Sequence, residues 1–230
     1  MNQVLAESVY FGMTISIVGY GIGLVLQRKL KCGLCNPLLI SIVFVIVWIK
    51  ILGVSYETYD ETAKYLSYLL TPATVALAIP LYQKIQILKE NFGAVIIAIL
   101  SGVFASLGSV LLMSYLFGLS HEEYVSLLPK SITTAIGMGI SEELGGIVAI
   151  SVAAITITGV LGNVIAENVC KLFRITDPIA RGLAIGTASH AAGTAKALEL
   201  GEVEGAMSSL AIAVSGLITV VAASMFATFL

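Results

Sequence analysis

The sequence predicts an all-α, polytopic membrane helix bundle: about six full spans plus two re-entrant or broken segments, a transporter-like plan. Three observations carry that prediction. First, 58% of the 230 residues are hydrophobic and only 11% are charged, against about a quarter charged in an ordinary soluble domain. With 12 basic and 14 acidic side chains and a mean hydropathy of +1.00 over 24.1 kDa, the chain cannot cover a water-facing surface, so its solvent is largely lipid. Second, the charges cluster and leave long gaps at 8–27, 32–49, 65–83, 91–120, 144–166 and 205–230. A helix needs roughly 20 residues to cross about 30 Å of hydrocarbon, so each gap can hold one span. Third, two gaps at 131–141 and 182–195 are too short to cross alone and are rich in Gly, Ser and Thr. A net charge of −2 spread this thinly also excludes a nucleic-acid surface. The chain reads as a single integral membrane domain over 1–230.

Taken in order, the first span has no basic flank before it and is followed by Arg28, Lys29 and Lys31. That charge order is the reverse of a signal peptide's, so the segment is expected to be a retained helix with its N-terminus outside. The positive-inside rule then puts the basic loop 27–37 inside and the acidic segment 53–62 (Glu57, Asp60, Glu61) outside. Loop 84–90 (Lys84, Lys89) returns inside, 118–125 (His121, Glu122, Glu123) lies outside, and 170–181 (Lys171, Arg174, Arg181) lies inside. This count works only if 126–146 enters from outside and returns without crossing. By the same parity 182–201 enters from inside and returns, and 206–230 makes the last crossing. Irregular backbone at membrane depth survives only where protein buries it or a wet cavity accepts it, and transporters place substrates there.

Three stretches carry the candidate site. Thr71-Pro72-Ala73-Thr74, continuing to Pro80, has two prolines in ten residues; these remove backbone donors and make either a kinked span or a functional break with Thr71, Pro72, Thr74 and Pro80 as a wall. In the 128–146 stretch, Pro129 suits a first helical turn. Free N–H groups there, with the hydroxyls of Ser131, Thr133 and Thr134 beside Lys130, suit an anion; the plain alternative is an interfacial helix in an outer loop. In the 181–196 stretch almost every side chain is small, which permits close approach, and His190 stands in the middle. An ionisable residue at membrane depth is a functional hypothesis, here a ligand to substrate or carrier of a proton, against a histidine merely bonded inside the bundle.

Other features point away from chemistry. Cys32-Gly33-Leu34-Cys35 has only Cys170 as a further cysteine, too few ligands for structural zinc, so no metal and no cofactor are expected. Ser189 beside His190 lacks a third group and an oxyanion motif, so no catalytic residues and no enzyme are expected. Glu7 and Glu167 sit near span ends, His121 stands among acidic neighbours in an outer loop, and Gly19-x-x-x-Gly23 is a helix-packing face that could serve a partner.

The run DPIARGLAIGTASHAAGTAKALELGEVEGAMSSLA from Asp177 to Ala211 resembles the signature of the LrgB/CidB family. So do LPKSITTAIGMGISEELGG, the TPATVALAIPLY stretch at 71–82 and Asn36-Pro37-Leu38-Leu39. The resemblance covers essentially the whole chain. It departs at Ala135, where the family often has Pro, at Gly139, where it often has an acidic residue, and at Thr71, where Gly is frequent. The resemblance implies an antiholin-like protein that modulates murein hydrolase export and autolysis, or a relative of the plastidal glycolate/glycerate translocator. It also implies a small LrgA/CidA-type membrane protein as partner.

The expected function is a secondary carrier of small monocarboxylates (pyruvate, glycolate or glycerate class) in the cell membrane, with a holin/antiholin-like pore or regulator as the alternative. Ser131, Thr133, Thr134, Thr187, Ser189, His190 and Thr194 are the expected substrate-binding residues. Lys130, Arg181 and Lys196 are the expected charges at the site's mouths. The expected partners are the small organic anion, the lipid bilayer and further copies of the chain.

Overall fold

A computed structural model describes residues 8, 10–30, 37–69, 72, 75, 76 and 78–230. They fall into two compact units, residues 1–76 and 77–230. Cys32, Cys35, Glu7, Thr71 and Thr74 lie outside the described residues.

The first unit holds α1 (Phe11–Leu30), α2 (Pro37–Leu52) and α3 (Tyr56–Tyr68). α1 and α2 pack antiparallel: a Cβ on Gly19 would meet Phe44 at 2.9 Å, and one on Gly23 would meet the Pro37 backbone at 2.7 Å. The Gly19-x-x-x-Gly23 face is therefore spent inside this unit. α3 starts on Ser55, whose side chain accepts from the Thr58 N–H at 3.2 Å. It is tied to α1 through Gly12 N–H to Thr62 Oγ1 at 2.9 Å and Ser16 to Tyr59 at 2.8 Å.

The second unit runs through α4 (Ala78–Gln83), α5 (Ile85–Glu90), α6 (Phe92–Phe117), α7 (His121–Leu127), α8 (Thr134–Glu143), α9 (Val148–Leu172), α10 (Pro178–Leu200) and α11 (Glu202–Phe226). A short 3-10 turn, Ala227–Phe229, closes it. Four helices among the described residues are long and apolar enough to cross a membrane: Phe11–Lys29, Phe92–Phe117, Val148–Leu172 and Glu202–Phe229. α2, apolar and 16 residues long, reaches about 24 Å. This is a helical membrane protein. In the gap at 65–83, expected to hold a span, the described residues are the end of α3, then Pro72, Val75 and Ala76, all helical, and the six residues of α4; the rest of that expected span lies outside the described residues. Pro72 and Pro80, which cannot donate to a helical ladder, stand in that interval.

The buried stripe of α6 is Val95, Ile99, Val103, Leu107 and Val110, each at most 5% exposed, repeating every three or four residues as one helix face must. It packs with Leu128, Ile132, Leu183, Met207 and Ala211 in one core. Ile97, Phe104, Leu112 and Leu116 on the same helix are exposed, which suits a hydrocarbon-facing side.

Both short gaps turn back on themselves. α10 is two helices joined by a break: Ser189 has φ −136°, ψ 20° and His190 φ 42°, ψ −139°. Gly182 in the first arm packs on Glu204 and Met207 of α11, and Gly186 packs on Ser208. After the break, Thr194 again meets Ser208, at 2.7 Å, and Leu198 meets Gly205. The chain has entered to the depth of Ser208 and come back to the level of Gly205, so this is a re-entrant hairpin.

The 121–147 segment makes the other. Ser120 and Glu123 form a capping box on α7. The chain turns at 128–133 and α8 returns it to the level of Ser126 in α7. Ile147 N–H donates to Ser126 Oγ at 2.6 Å, and Ser151 Oγ donates to Ser126 O and pairs with Ser141 Oγ, each at 2.7 Å. α9 starts at the base of this hairpin and ends near the base of the second, so the two enter from opposite ends of α9.

Candidate functional site

Small residues let three elements meet at mid-depth. A Cβ on Gly102 of α6 would lie 2.6 Å from Thr187 Cγ2, and one on Gly159 of α9 would lie 2.6 Å from the His190 ring. These absent side chains admit the tip of the second hairpin between α6 and α9. The result is a cleft of about 810 Å³. Its walls are Ala98, Ser101, Gly102, Ala105, Ser106 and Ser109 of α6, Lys130 and Ser131 at the first tip, Thr158, Leu161, Gly162 and Ile165 of α9, and Ala180, Leu183, Ala184, Thr187, Ala188 and Ser189 of the second hairpin. Next to it lies a small chamber of about 10 Å³, shared by Ser106, Ser131 and Thr187 with Ser215 and Thr219 of α11. That is room for about one water.

Lys130 Nζ donates to Ser106 Oγ and to Ser131 Oγ, each at 3.1 Å, and the two hydroxyls are 3.0 Å apart. Ser131 is 7% exposed and Thr187 6%. The Thr187 hydroxyl has no hydrogen-bond partner among the described residues. α8 begins beside the first tip on Thr133, whose side chain makes no capping bond. The returning arm of the second hairpin, 191–200, likewise begins at its tip. Two half-helix N-termini therefore stand at mid-depth, each with a positive dipole end.

The expected site residues divide into two sets. Ser131, Thr187, Ser189 and Lys130 line the cleft, whereas Thr133, Thr134, His190 and Thr194 are not in its lining. His190 Nε2–H donates to the Ile155 carbonyl at 3.0 Å, which fixes the tautomer. Thr194 Oγ1 donates to the His190 carbonyl at 2.9 Å and pairs with Ser208 at 2.7 Å. Both residues hold the break in place. Asn163 does the same, donating to the Ala192 carbonyl at 2.5 Å. Lys130, expected at a mouth, lies in the cleft itself because the 128–133 turn carries it to the level of Ser106, inside α6. Arg181 and Lys196 do stand toward the base of the second hairpin, paired with Glu204 at 3.4 Å, and with Glu199 at 3.2 Å and Glu167 at 3.5 Å. Pro72 belongs to the first unit and Pro80 to α4.

The residue that sequence reasoning missed is Ser106, with Ser101, Gly102 and Ser109 beside it. The signal was present as small residues at spacings of three and four in 101–109, within a gap that otherwise reads as an ordinary span.

Comparison with known proteins covers nearly the whole chain. The LrgB-like family matches residues 16–229. Proteins named "Antiholin-like protein LrgB" from Bacillus mycoides (strain KBAB4), Bacillus cereus (strain B4264) and Bacillus anthracis (strain CDC 684 / NRRL 3495) are each 40% identical over 222 residues, covering 96% of this chain and 96% of theirs. No solved structure matches it. With a family match over nearly its full length and relatives this similar, the chain belongs to the LrgB-like family.

Proposed function

We propose that this antiholin-like membrane protein carries small monocarboxylates, of the pyruvate, glycolate or glycerate class, across the cell membrane. The observation that supports this reading is the cleft where two hairpin tips meet, with Lys130 held by hydroxyls and two half-helix N-termini nearby. Exposed amide donors and hydroxyls suit a carboxylate, and broken helices at mid-depth suit alternating access. Ser131, Thr187 and Ser189 bind the substrate in this reading, while His190 and Thr194 keep the second tip in position. No covalent chemistry is needed, so the protein is not an enzyme. The basic loops face the cytoplasm and the N-terminus faces outside. A small LrgA/CidA-type membrane protein and further copies of the chain are the proposed partners.

A second reading has its own support. The relatives carry the name antiholin-like, and that name favours a pore or a regulator of murein hydrolase export and autolysis over a carrier. Uptake of labelled pyruvate or glycolate into proteoliposomes separates the two. Saturable uptake lost in Thr187→Val supports the carrier. Non-saturable leak of unrelated solutes, unchanged by that substitution, supports the pore.

A further inference from the structure

The cations around the second hairpin are neutralised and the one in the cleft is not. Arg181 faces Glu204, and Lys196 faces Glu167 and Glu199. Lys130 has no carboxylate within 4 Å among the described residues; the groups that hold it are two neutral hydroxyls. An ammonium has three donors, and these contacts use two of them. They aim the head group without cancelling its charge, and the third donor is left for a ligand. A charge at membrane depth calls for a partner of opposite sign. Close by, the Thr187 hydroxyl is buried and without a partner, a costly state that an added oxygen relieves. The chamber beside Ser106, Ser131 and Thr187 has the volume of about one oxygen-sized group.

We propose that Lys130, Ser106 and Thr187 form the anion-selecting subsite of this cleft: Lys130 binds a carboxylate oxygen of the transported acid, Ser106 positions its ammonium, and Thr187 meets the substrate on the opposite wall. This rests on the carrier reading and adds what gives it charge selectivity. An Asp or Glu in the place of Ser106 would cancel the field; a serine keeps it. The apolar remainder of the lining, with Leu161, Ile165 and Leu183, makes that charge felt more strongly than water would.

The test uses the full chain in proteoliposomes, with labelled pyruvate and competition by unlabelled pyruvate or its neutral amide. Lys130→Gln keeps a side-chain N–H donor on a chain one bond shorter and removes the charge. It should lower Vmax/KM by about 10- to 100-fold, the range for losing a charged hydrogen bond. It should also abolish the wild-type preference for the acid over the amide, a readout that a structural role would leave alone. Lys130→Arg should retain the preference, and Ser106→Ala should raise KM with little change in Vmax. If Lys130→Gln fails to fold, Lys130→Met serves, since a buried apolar chain of similar length fills the same space. Folded Lys130→Gln or Lys130→Met protein with wild-type uptake and an intact preference overturns the subsite while leaving the carrier standing. Absence of saturable uptake by the wild type overturns both.

Discussion

His190 and Ile155 are joined across the middle of the second unit: the ring N–H donates to a main-chain carbonyl at 3.0 Å. The bond matters because His190 has φ 42°, a region that costs a non-glycine residue of order 1–3 kcal/mol. The ring contact and the Thr194 hydroxyl on the His190 carbonyl hold the backbone there. His190→Ala keeps the strained backbone and loses the bond, so the protein should melt several degrees lower in detergent. His190→Gly loses the bond but tolerates the conformation and should fall less. Equal melting of His190→Ala and wild type would contradict this role.

Glycines with near neighbours should behave differently from those without. A Cβ on Gly159 would stand 2.6 Å from the His190 ring, while one on Gly139 meets nothing within 4 Å. Gly159→Val should destabilise by about 1–3 kcal/mol through overpacking. Gly139→Ala, on an exposed position of α8, should stabilise by about 0.5–1 kcal/mol. Thermal melting of both variants checks the pair.

The Thr194–Ser208 bond, at 2.7 Å between two fully buried hydroxyls, pins the returning arm to α11. Bonds of this kind in membranes contribute about 0.6 kcal/mol on average and up to about 1.7 kcal/mol. Thr194→Val and Ser208→Ala should each destabilise, and the double variant should lose less than the sum, because removing both hydroxyls leaves neither one facing an unmet partner, while the loss of the Thr194 bond to the His190 carbonyl is common to Thr194→Val and the double variant. Strict additivity in the double-mutant cycle would show that the hydroxyls are uncoupled.

Hairpin topology has a direct chemical readout. In a chain whose native cysteines are replaced, single cysteines at Glu122 and Glu142 should label from one face of the membrane. Those at Asp177 and Glu199 should label from the other face. Labelling of the two ends of either hairpin from opposite faces would mean that the segment crosses.

Much of this architecture was legible in where the charges fall. By the positive-inside count, Lys171, Arg174 and Arg181 could share a side with Lys84 and Lys89 only if 126–146 failed to cross, and that segment is the first hairpin. The break itself was legible as Gly, Ser and Thr around His190. The direction of the His190 ring was not, because it depends on Gly159 of a distant helix leaving room for it. Nor was the depth of Lys130: a lysine after Pro129 looks interfacial until a turn at 128–133 carries it down beside Ser106.

On the proposed reading the cleft is a carrier's binding site and not the wall of a pore. Counterflow tests it most directly. Proteoliposomes preloaded with unlabelled pyruvate are diluted into a trace of labelled pyruvate, and internal label is followed over time. A carrier predicts transient accumulation above the equilibrium level, abolished in Thr187→Val. Label that rises monotonically to equilibrium, whatever the preload, would contradict it and leave the antiholin-like pore or regulator as the function.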